Sequence, residues 1–324
     1  MDIIMPVAGL GTRLRPQTWT KPKPLVSVAG KPMLSHVLER VLPLEPEKII
    51  FITGFLGAHI EEWAHANIDV PVVFVEQPEM KGQTDAIIRA RDLAREDALI
   101  LFPDMLFEAD FTQLVQTDAD VVMFTKEVED PSALGIAVVE NGQIVKLVEK
   151  PQEPVSNLAV IGIYYVRSMP DLYDAIEDQM ARGISLKNEY FIADAIQIMI
   201  DRGAKVVSMP VTALEDCGNV PNLLSTNRFL LARDTQTESA AAPSVIVQPS
   251  VIAPDAVIEA SVIGPYASIG PGAIVRNSIV KDSIVEDRAL VEDALVEGSL
   301  VGRRAHVRGV ARGANIGDDS VVNS

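Results

Sequence analysis

Residues 2–25 read DIIMPVAGLGTRLRPQTWTKPKPL. The opening run, DIIMPVA, is a short β-branched and apolar stretch of strand type, and it ends in Gly9-Leu10-Gly11-Thr12-Arg13. Glycines at such a point let backbone N–H groups turn inward without a Cβ in the way, which forms a cradle for phosphate oxygens. A dinucleotide fingerprint would want a third glycine at Leu14 and an immediate helix, whereas Pro16, Pro22 and Pro24 keep this stretch extended or turning. A P-loop would want Gly-Lys-Ser or Gly-Lys-Thr, which is absent. What remains is a glycine turn continued by a proline-punctuated, cation-bearing loop.

The charge of that loop stands against the rest of the chain. The protein has 324 residues with 28 Lys and Arg against 45 Asp and Glu, a formal net charge of -17. Yet 3–38 contains Arg13, Arg15, Lys21, Lys23 and Lys31 and no acid. The overall acidity argues against nucleic acid as a partner, because phosphate-backbone binding needs a cationic face rather than one short basic segment. At 48% hydrophobic and 23% charged, the chain can bury a sizeable core and is long enough for two domains. No apolar run approaches a membrane span and no secretory leader is legible, so the cytoplasm is the expected location. The single cysteine, Cys217, excludes an internal disulfide and a cysteine-rich metal site.

Outward from the loop, strand-like and helix-like stretches alternate: MLSHVLERVL, KIIFIT, AHIEEWAHA, VPVVFVEQ, TDAIIRARDLA, ALILF, FTQLVQ and DVVMFTK. Alternation at this spacing predicts an α/β domain with a Rossmann-like, mostly parallel sheet covered on both faces. After residue 134, GIAVVENGQIVKLVEKP predicts a hairpin turning at ENGQ, then a strand at AVIGIYYV and helices near 170–182 and 190–202. This insertion would wall one side of a cleft. A helix through LLSTNRFLLARD closes the first domain, 1–234, and TQTESAAAP, 235–243, reads as a linker.

The remainder, 244–324, is repetitive. Aliphatic residues fall at Ile246, Ile252, Ile258, Ile263, Ile269, Val275, Val280, Val285, Val291, Val296, Val301 and Val307, then at Ile316 and Val322. A hexapeptide-like period of this kind is the signature of a parallel β-helix of roughly four to five coils, each aliphatic pointing inward. Glu292 with Arg308, and Asp287 with Arg303, are spaced to face each other on adjacent coils, worth about 0–1 kcal/mol each if exposed. The basic stretch 302–312 reads as a solvated face rather than an anion site. Flat sides on such coils predict packing between subunits, hence a homo-oligomer.

On its motifs the chain resembles the sugar-1-phosphate nucleotidylyltransferases. The resemblance rests on the glycine turn with Gly11-Thr12-Arg13, and on Lys23 in a Pro-Lys-Pro-Leu context. It continues in order through Gln77 with Gly82, Asp104, Gly135, Glu149-Lys150-Pro151, and Asp216-Cys217-Gly218 leading into PNLLSTNRFL. A C-terminal left-handed β-helix is likewise common in that family. The implied reaction is attack of a sugar 1-phosphate oxygen on the α-phosphorus of a nucleoside triphosphate, with pyrophosphate leaving. The nucleophile is already ionised, so positioning and charge neutralisation supply the catalysis.

The resemblance gives Arg13 the triphosphate and Lys23 the α-phosphate in the transition state. Ala8, Gly9, Gly11, Thr12, Gln77 and Gly82 would bind the nucleotide, Gln77 by the base edge. Lys150 would contact the sugar phosphate, with Glu149 and Gly135 beside the sugar ring. Asp104 and Asp216 occupy the two metal positions, for Mg2+ held by oxygen ligands. Arg15, Lys21 and Lys31 tune the field or pair with acids elsewhere. Asp110, Asp118 and Asp120 read as cap and loop acids, and His36, His59 and His65 as packed or exposed helix residues.

Three positions depart from the usual pattern: Pro103 before Asp104, Leu214 where tryptophan often precedes the second aspartate, and Gln83-Thr84 after Gly82. The turn Ala8-Gly9-Leu10-Gly11 is similar to that of UTP-using glucose-1-phosphate enzymes, and the repeat domain and RLRPQTWTKPKPL resemble the glucose-1-phosphate thymidylyltransferase branch, which favours dTTP or UTP with glucose 1-phosphate. The competing readings are a catalytically silent nucleotide-sugar-binding subunit, a mannose-1-phosphate guanylyltransferase, and a bifunctional enzyme whose β-helix transfers an acyl group, with His306 the sole histidine there.

Overall fold

The computed structural model describes residues 1–132, 134–151, 153, 155–233 and 244–323. The linker expected at 235–243 lies outside the described residues. The chain divides into two compact units, Met1–Gly9 with Val37–Leu214, and Leu10–His36 with Glu215–Ser324. The signature loop is thus grouped by its contacts with the C-terminal part of the chain, a grouping that no compositional signal announces.

The first unit is built on a ten-stranded sheet in the order 72–76, 49–53, 2–6, 98–101, 158–166, 121–127, 206–216, 105–109, with the 135–140 and 143–149 hairpin attached beside 158–166. The first four of these strands are mutually parallel. Leu158–Val166 runs antiparallel to both its neighbours, and Val206–Asp216 is parallel to Val121–Glu127. Ile3, Ile4, Met5, Ile49–Ile52 and Ala98–Leu101 are all fully buried, which is why their sequences are continuous apolar runs rather than alternating ones. Burial of such side chains stabilises by about 1.5–3 kcal/mol each.

The hairpin expected at ENGQ is present: Glu140 pairs with Gln143, and Asn141 and Gly142 have φ of 49° and 80°. That is the backbone a two-residue type I′ turn demands. Helices run Met169–Ala181, Ile192–Asp201 and Val220–Arg233, close to expectation. The stretch TDAIIRARDLA is helical only over Gln83–Ile87 before tightening to a 3-10 turn, and Met105–Ala109, unassigned from the sequence, is an edge strand of the sheet.

The second unit carries a left-handed parallel β-helix. Val245, Val262, Ile279, Leu295 and Val310 are successive register partners on one side, and Val251, Ser268, Ile284, Leu300 and Asn315 on another. The aliphatics picked out by their period, Ile263, Ile269, Val275, Val280, Val285, Val291, Val296, Val301, Val307 and Ile316, form one core with Ala267, Ala273, Ala289 and Ala305. At one corner serines relay hydrogen bonds up the stack: the Ser261 amide donates to Ser244 Oγ at 3.3 Å, the Ser278 amide to Ser261 Oγ at 3.1 Å, and the Ala294 amide to Ser278 Oγ at 3.0 Å. Each hydroxyl satisfies an amide that the turning backbone leaves without a strand partner.

Of the two charge ladders, Glu292 does meet Arg308, at 3.4 Å, and also Arg276 and His306. Arg303 goes instead to Asp318, at 3.5 Å, while Asp287 lies 3.7 Å from Lys21. Among the described residues no helix is long and apolar enough to cross a membrane.

Candidate active site

The signature loop is shaped by Gly11. Its φ is +60°, and a Cβ there would stand 3.0 Å from the Cβ of Lys23 and 3.0 Å from Thr18 Cγ2. Thr18 Oγ1 donates to the Gly11 carbonyl at 2.7 Å. The glycine therefore lets the chain double back and pack the stem of Lys23 against the turn that bears Thr12 and Arg13. Short 3-10 turns at Thr12–Leu14, Gln17–Trp19 and Lys23–Leu25 replace the helix a dinucleotide fold would place here, because the prolines interrupt it.

Arg13 and Asp216 converge on a second glycine. A Cβ on Gly218 would fall 2.7 Å from an Arg13 guanidinium nitrogen and 2.8 Å from Asp216 Oδ1. The Gly218 amide donates to Asp216 Oδ1 at 2.6 Å, and Asn222 Nδ2 donates to Oδ2. Each carboxylate oxygen thus has one N–H donor and keeps a lone pair, a hard oxygen donor set suited to a divalent cation. Asn222 was not expected from the sequence. Its only signal is its place in the first turn of the 220–233 helix, six residues after Asp216.

In the first unit, Ala8 is buried against Gly54, whose Cβ would stand 2.9 Å from that of Ala8. Gly9 faces open space, with nothing within 4 Å of a Cβ built there. Asp104, half-buried, follows strand Ala98–Leu101 in the turn that Pro103 enters.

Gln77 is only 5% exposed. Its Nε2 donates to Asp85 Oδ2 at 2.8 Å and to the Gly82 carbonyl at 3.1 Å. Both partners can only accept, so the amide has one orientation, and no hydrogen bond among the described residues uses its Oε1. Asp85, absent from the sequence-based set, is itself held by Arg89 one helical turn on, at 3.3 Å. Gly82 has φ +105°, and a Cβ there would meet the Tyr190 amide nitrogen at 2.4 Å. The backbone that closes on Gly82 is that of Tyr190, whose carbonyl accepts from Gln83 at 2.7 Å.

Gly135 and Glu149 are cross-strand partners, and a Cβ on Gly135 would stand 2.8 Å from Glu149 Oε2. Lys150 Nζ lies 3.5 Å from Glu149 and 4.7 Å from the centre of the Phe191 ring. Burial pushes the Glu149 carboxyl above its ordinary value, with Lys150 opposing and Asp194 adding to the shift. Burial raises Asp194 in the same way. Phe191 and Asp194 carry no sequence signal, since NEYFIADA has no distinctive spacing.

The remaining acids and histidines have local roles. Asp110 accepts from the Thr112 amide at 3.0 Å and Asp120 from the Lys205 amide at 2.7 Å. His36 bonds the Val28 carbonyl at 2.9 Å, and His65 packs edge-on to Phe74. Among the described residues no group of three or more His, Cys, Asp or Glu converges as a metal centre. Magnesium needs no such cage, since it commonly takes one or two carboxylates together with substrate phosphates and water.

This α/β sheet, entered through a glycine turn and a cationic loop and followed by a β-helix, defines a nucleotidyltransferase architecture. Residues 2–233 match the family model described as Nucleotidyl transferase, and the chain belongs to that family. Among curated relatives, the bifunctional protein GlmU of Methanocaldococcus jannaschii is 32% identical over 255 residues, covering 78% of this chain and 60% of its own length. The UTP–glucose-1-phosphate uridylyltransferase AglF of Haloferax volcanii is 32% identical over 214 residues, 64% of this chain and 86% of its own. A glucose-1-phosphate thymidylyltransferase of Streptomyces antibioticus is 31% identical, covering 71% of this chain and 66% of its own. This chain therefore spans about three-fifths of the GlmU relative's length. In fold, a UDP-glucose pyrophosphorylase complexed with UDP-glucose matches with a TM-score of 0.62 at 24% identity, covering 72% of this chain and 99% of its own.

Proposed function

We propose that the protein transfers a nucleoside monophosphate from dTTP or UTP to a sugar 1-phosphate, glucose 1-phosphate being the favoured acceptor, and releases pyrophosphate. The observation that carries this reading is the folded-back signature loop, in which Gly11 seats Lys23 and Gly218 seats Arg13 beside Asp216. Arg13 binds the triphosphate, and Lys23 neutralises charge at the α-phosphorus as the acceptor oxygen approaches in line. Ala8, Gly9 and Thr12 belong to the nucleotide turn. Lys150, with Glu149 and Gly135, holds the sugar phosphate. Asp104 and Asp216 are the proposed ligands of magnesium, which when bound supplies further charge neutralisation. Residues 1–234 constitute the catalytic part and 244–324 the β-helix.

The fixed amide of Gln77 supports a base with an imino donor, which among the pyrimidines means uracil or thymine. A lone Oε1 acceptor suits N3–H of uracil or thymine and mismatches the N3 acceptor of cytosine and the N1 acceptor of adenine. Homo-oligomerisation through the β-helix is favoured by its outward aliphatic column, in which Val245 and Val310 are each 54% exposed and Ile279 45%. The test is pyrophosphate release across a matrix of five nucleoside triphosphates and several hexose 1-phosphates with magnesium. Turnover with dTTP or UTP and glucose 1-phosphate is the expected result, and silence across the matrix defeats the reading.

A further inference from the structure

The cations of the signature loop are spent differently from one another. Arg15 stacks on Trp19, its guanidinium carbon 3.8 Å from the ring centre. Lys21 reaches into the β-helix: its Nζ lies 2.6 Å from Glu286 Oε2 and 3.7 Å from Asp287 Oδ1. The same carboxylate accepts from the Ser27 amide at 3.0 Å through Oε1 and from Ser27 Oγ at 3.1 Å through Oε2. Glu286 is 2% exposed. A carboxylate at that depth is retained only when cations and donors fill its lone pairs, and here every one of these partners comes from the loop.

The repeat itself has no use for this glutamate. Ala253, Gly270, Glu286 and Gly302 occupy one equivalent place, their amides donating one coil onward to Ile269, Val285, Val301 and Ile316 at 2.9, 2.7, 2.9 and 2.7 Å. The place is crowded: a Cβ on Gly270 would stand 2.9 Å from the Asp287 amide nitrogen, and one on Gly302 2.5 Å from that of Asp318. Small residues are what the stacking asks for, and a single coil carries a long acid instead.

Other bonds fasten the same loop. Gln17 Nε2 donates to the Ile316 carbonyl at 2.5 Å, and Asn315 Nδ2 to the Arg15 carbonyl at 2.8 Å. Thr20 Oγ1 donates to Asp318 Oδ2 at 2.6 Å. The Ala29 amide donates to Asn227 Oδ1 at 2.9 Å, which also accepts from Ser268 Oγ at 2.7 Å. Between these ties the Lys21 and Ser27 contacts bracket Lys23 from both sides.

We propose that Glu286 is a positioning residue for nucleotidyl transfer: through Lys21 and Ser27, the β-helix holds the segment that carries Lys23 and so sets where that ammonium meets the α-phosphate. The inference rests on Lys23 having the phosphate role proposed above. It gives the β-helix a part in catalysis that requires no chemistry of its own.

The test uses the 324-residue chain with Glu286→Gln and Lys21→Met, singly and combined. Arg228→Met, which removes the Arg228–Asp282 ion pair elsewhere in the same unit, is the control. Expected is a fall in kcat of about 10²-fold in each single variant, the loss that a displacement of roughly 1 Å at a reacting group produces. The KM for sugar 1-phosphate stays within about twofold, and the double variant is no worse than either single, because both remove one contact. Amide exchange over 20–28 quickens in Glu286→Gln and not in Arg228→Met. A kcat equal to that of the control, additive losses in the double variant, or unchanged exchange over 20–28 overturns the proposal. A wild-type protein without turnover on any substrate pair defeats the functional reading instead, and the exchange measurement then decides by itself whether Glu286 holds the loop.

Discussion

The ten-stranded sheet and the β-helix both bury aliphatic residues on parallel strands, yet they expose their functional residues to inspection in opposite ways. In the sheet, Ile3, Ile50 and Leu99 sit within continuous runs of buried apolar residues, and no position serves as a standard for another. In the β-helix every coil is measured against the next. An acid where the other coils have alanine or glycine stands out as something the fold did not require. Internal repetition therefore supplies its own reference state, and a departure from the repeat marks a place where stacking was traded for another purpose.

The largest effect expected concerns the signature loop rather than either framework. Arg13→Ala and Lys23→Ala should each lower kcat by about 10³-fold, the loss typical of removing a preorganised cationic or hydrogen-bonding group from a developing charge. Circular dichroism should stay unchanged. Retained turnover in either would show that the loop's shape, and not its charge, is what matters.

Next comes the contrast between inward and outward aliphatics. Ile50→Ala in the sheet and Ile263→Ala in the β-helix, both fully buried, should each cost about 2–5 kcal/mol in denaturant unfolding. Ile279→Ala, on the exposed column of the same coils, should stay within about 0.5 kcal/mol. A large loss at Ile279, together with a lower mass of Ile279→Asp by light scattering, would show the column buried between copies of the chain.

A smaller change is expected at Asp85. Asp85→Asn frees the Gln77 amide to rotate, so the preference for UTP over CTP in kcat/KM should fall by about tenfold, the worth of one hydrogen bond. An unchanged ratio would mean the base is read elsewhere.

The smallest effect is in pH dependence. Burial raises the Glu149 carboxyl above the ordinary glutamate value of 4.5, so the folded state favours the neutral form. The stability this contributes is fully present below about pH 4.5 and is lost as pH rises through the raised folded value. Glu149→Gln removes that loss, so its advantage in Tm over wild type should grow from near zero at low pH to a plateau at neutral pH. A difference that is constant across the range would place the burial cost elsewhere.

Much of the architecture could be read from local patterns. The apolar runs at 3–5, 49–52 and 98–101, the ENGQ turn and the five- and six-residue period after 244 each report a backbone preference that needs no distant partner. The candidate site was legible where a motif is contiguous, as in Gly11-Thr12-Arg13 and Glu149-Lys150. Asp85, Asn222, Phe191 and Asp194 were not, because each acts on a neighbour through a turn of helix or a strand crossing that single-letter spacing does not encode. The edge strand Met105–Ala109 was missed for a related reason: MLFEA is too short and mixed to declare a period.

By its own residues the chain settled where most of the strands and the repeats lie, and that a glycine turn is followed by a cation-rich stretch, since these follow from periodicity, steric freedom at glycine and charge. Folding in three dimensions decided what each of these cations lies against. Only there does Lys21 find Glu286, 265 residues away, while Lys23 packs against Gly11 and Arg13 lies against Gly218. Five like charges within 13–31 are equivalent on paper; they become distinct when the surrounding backbone fixes which acids and which glycines each can reach.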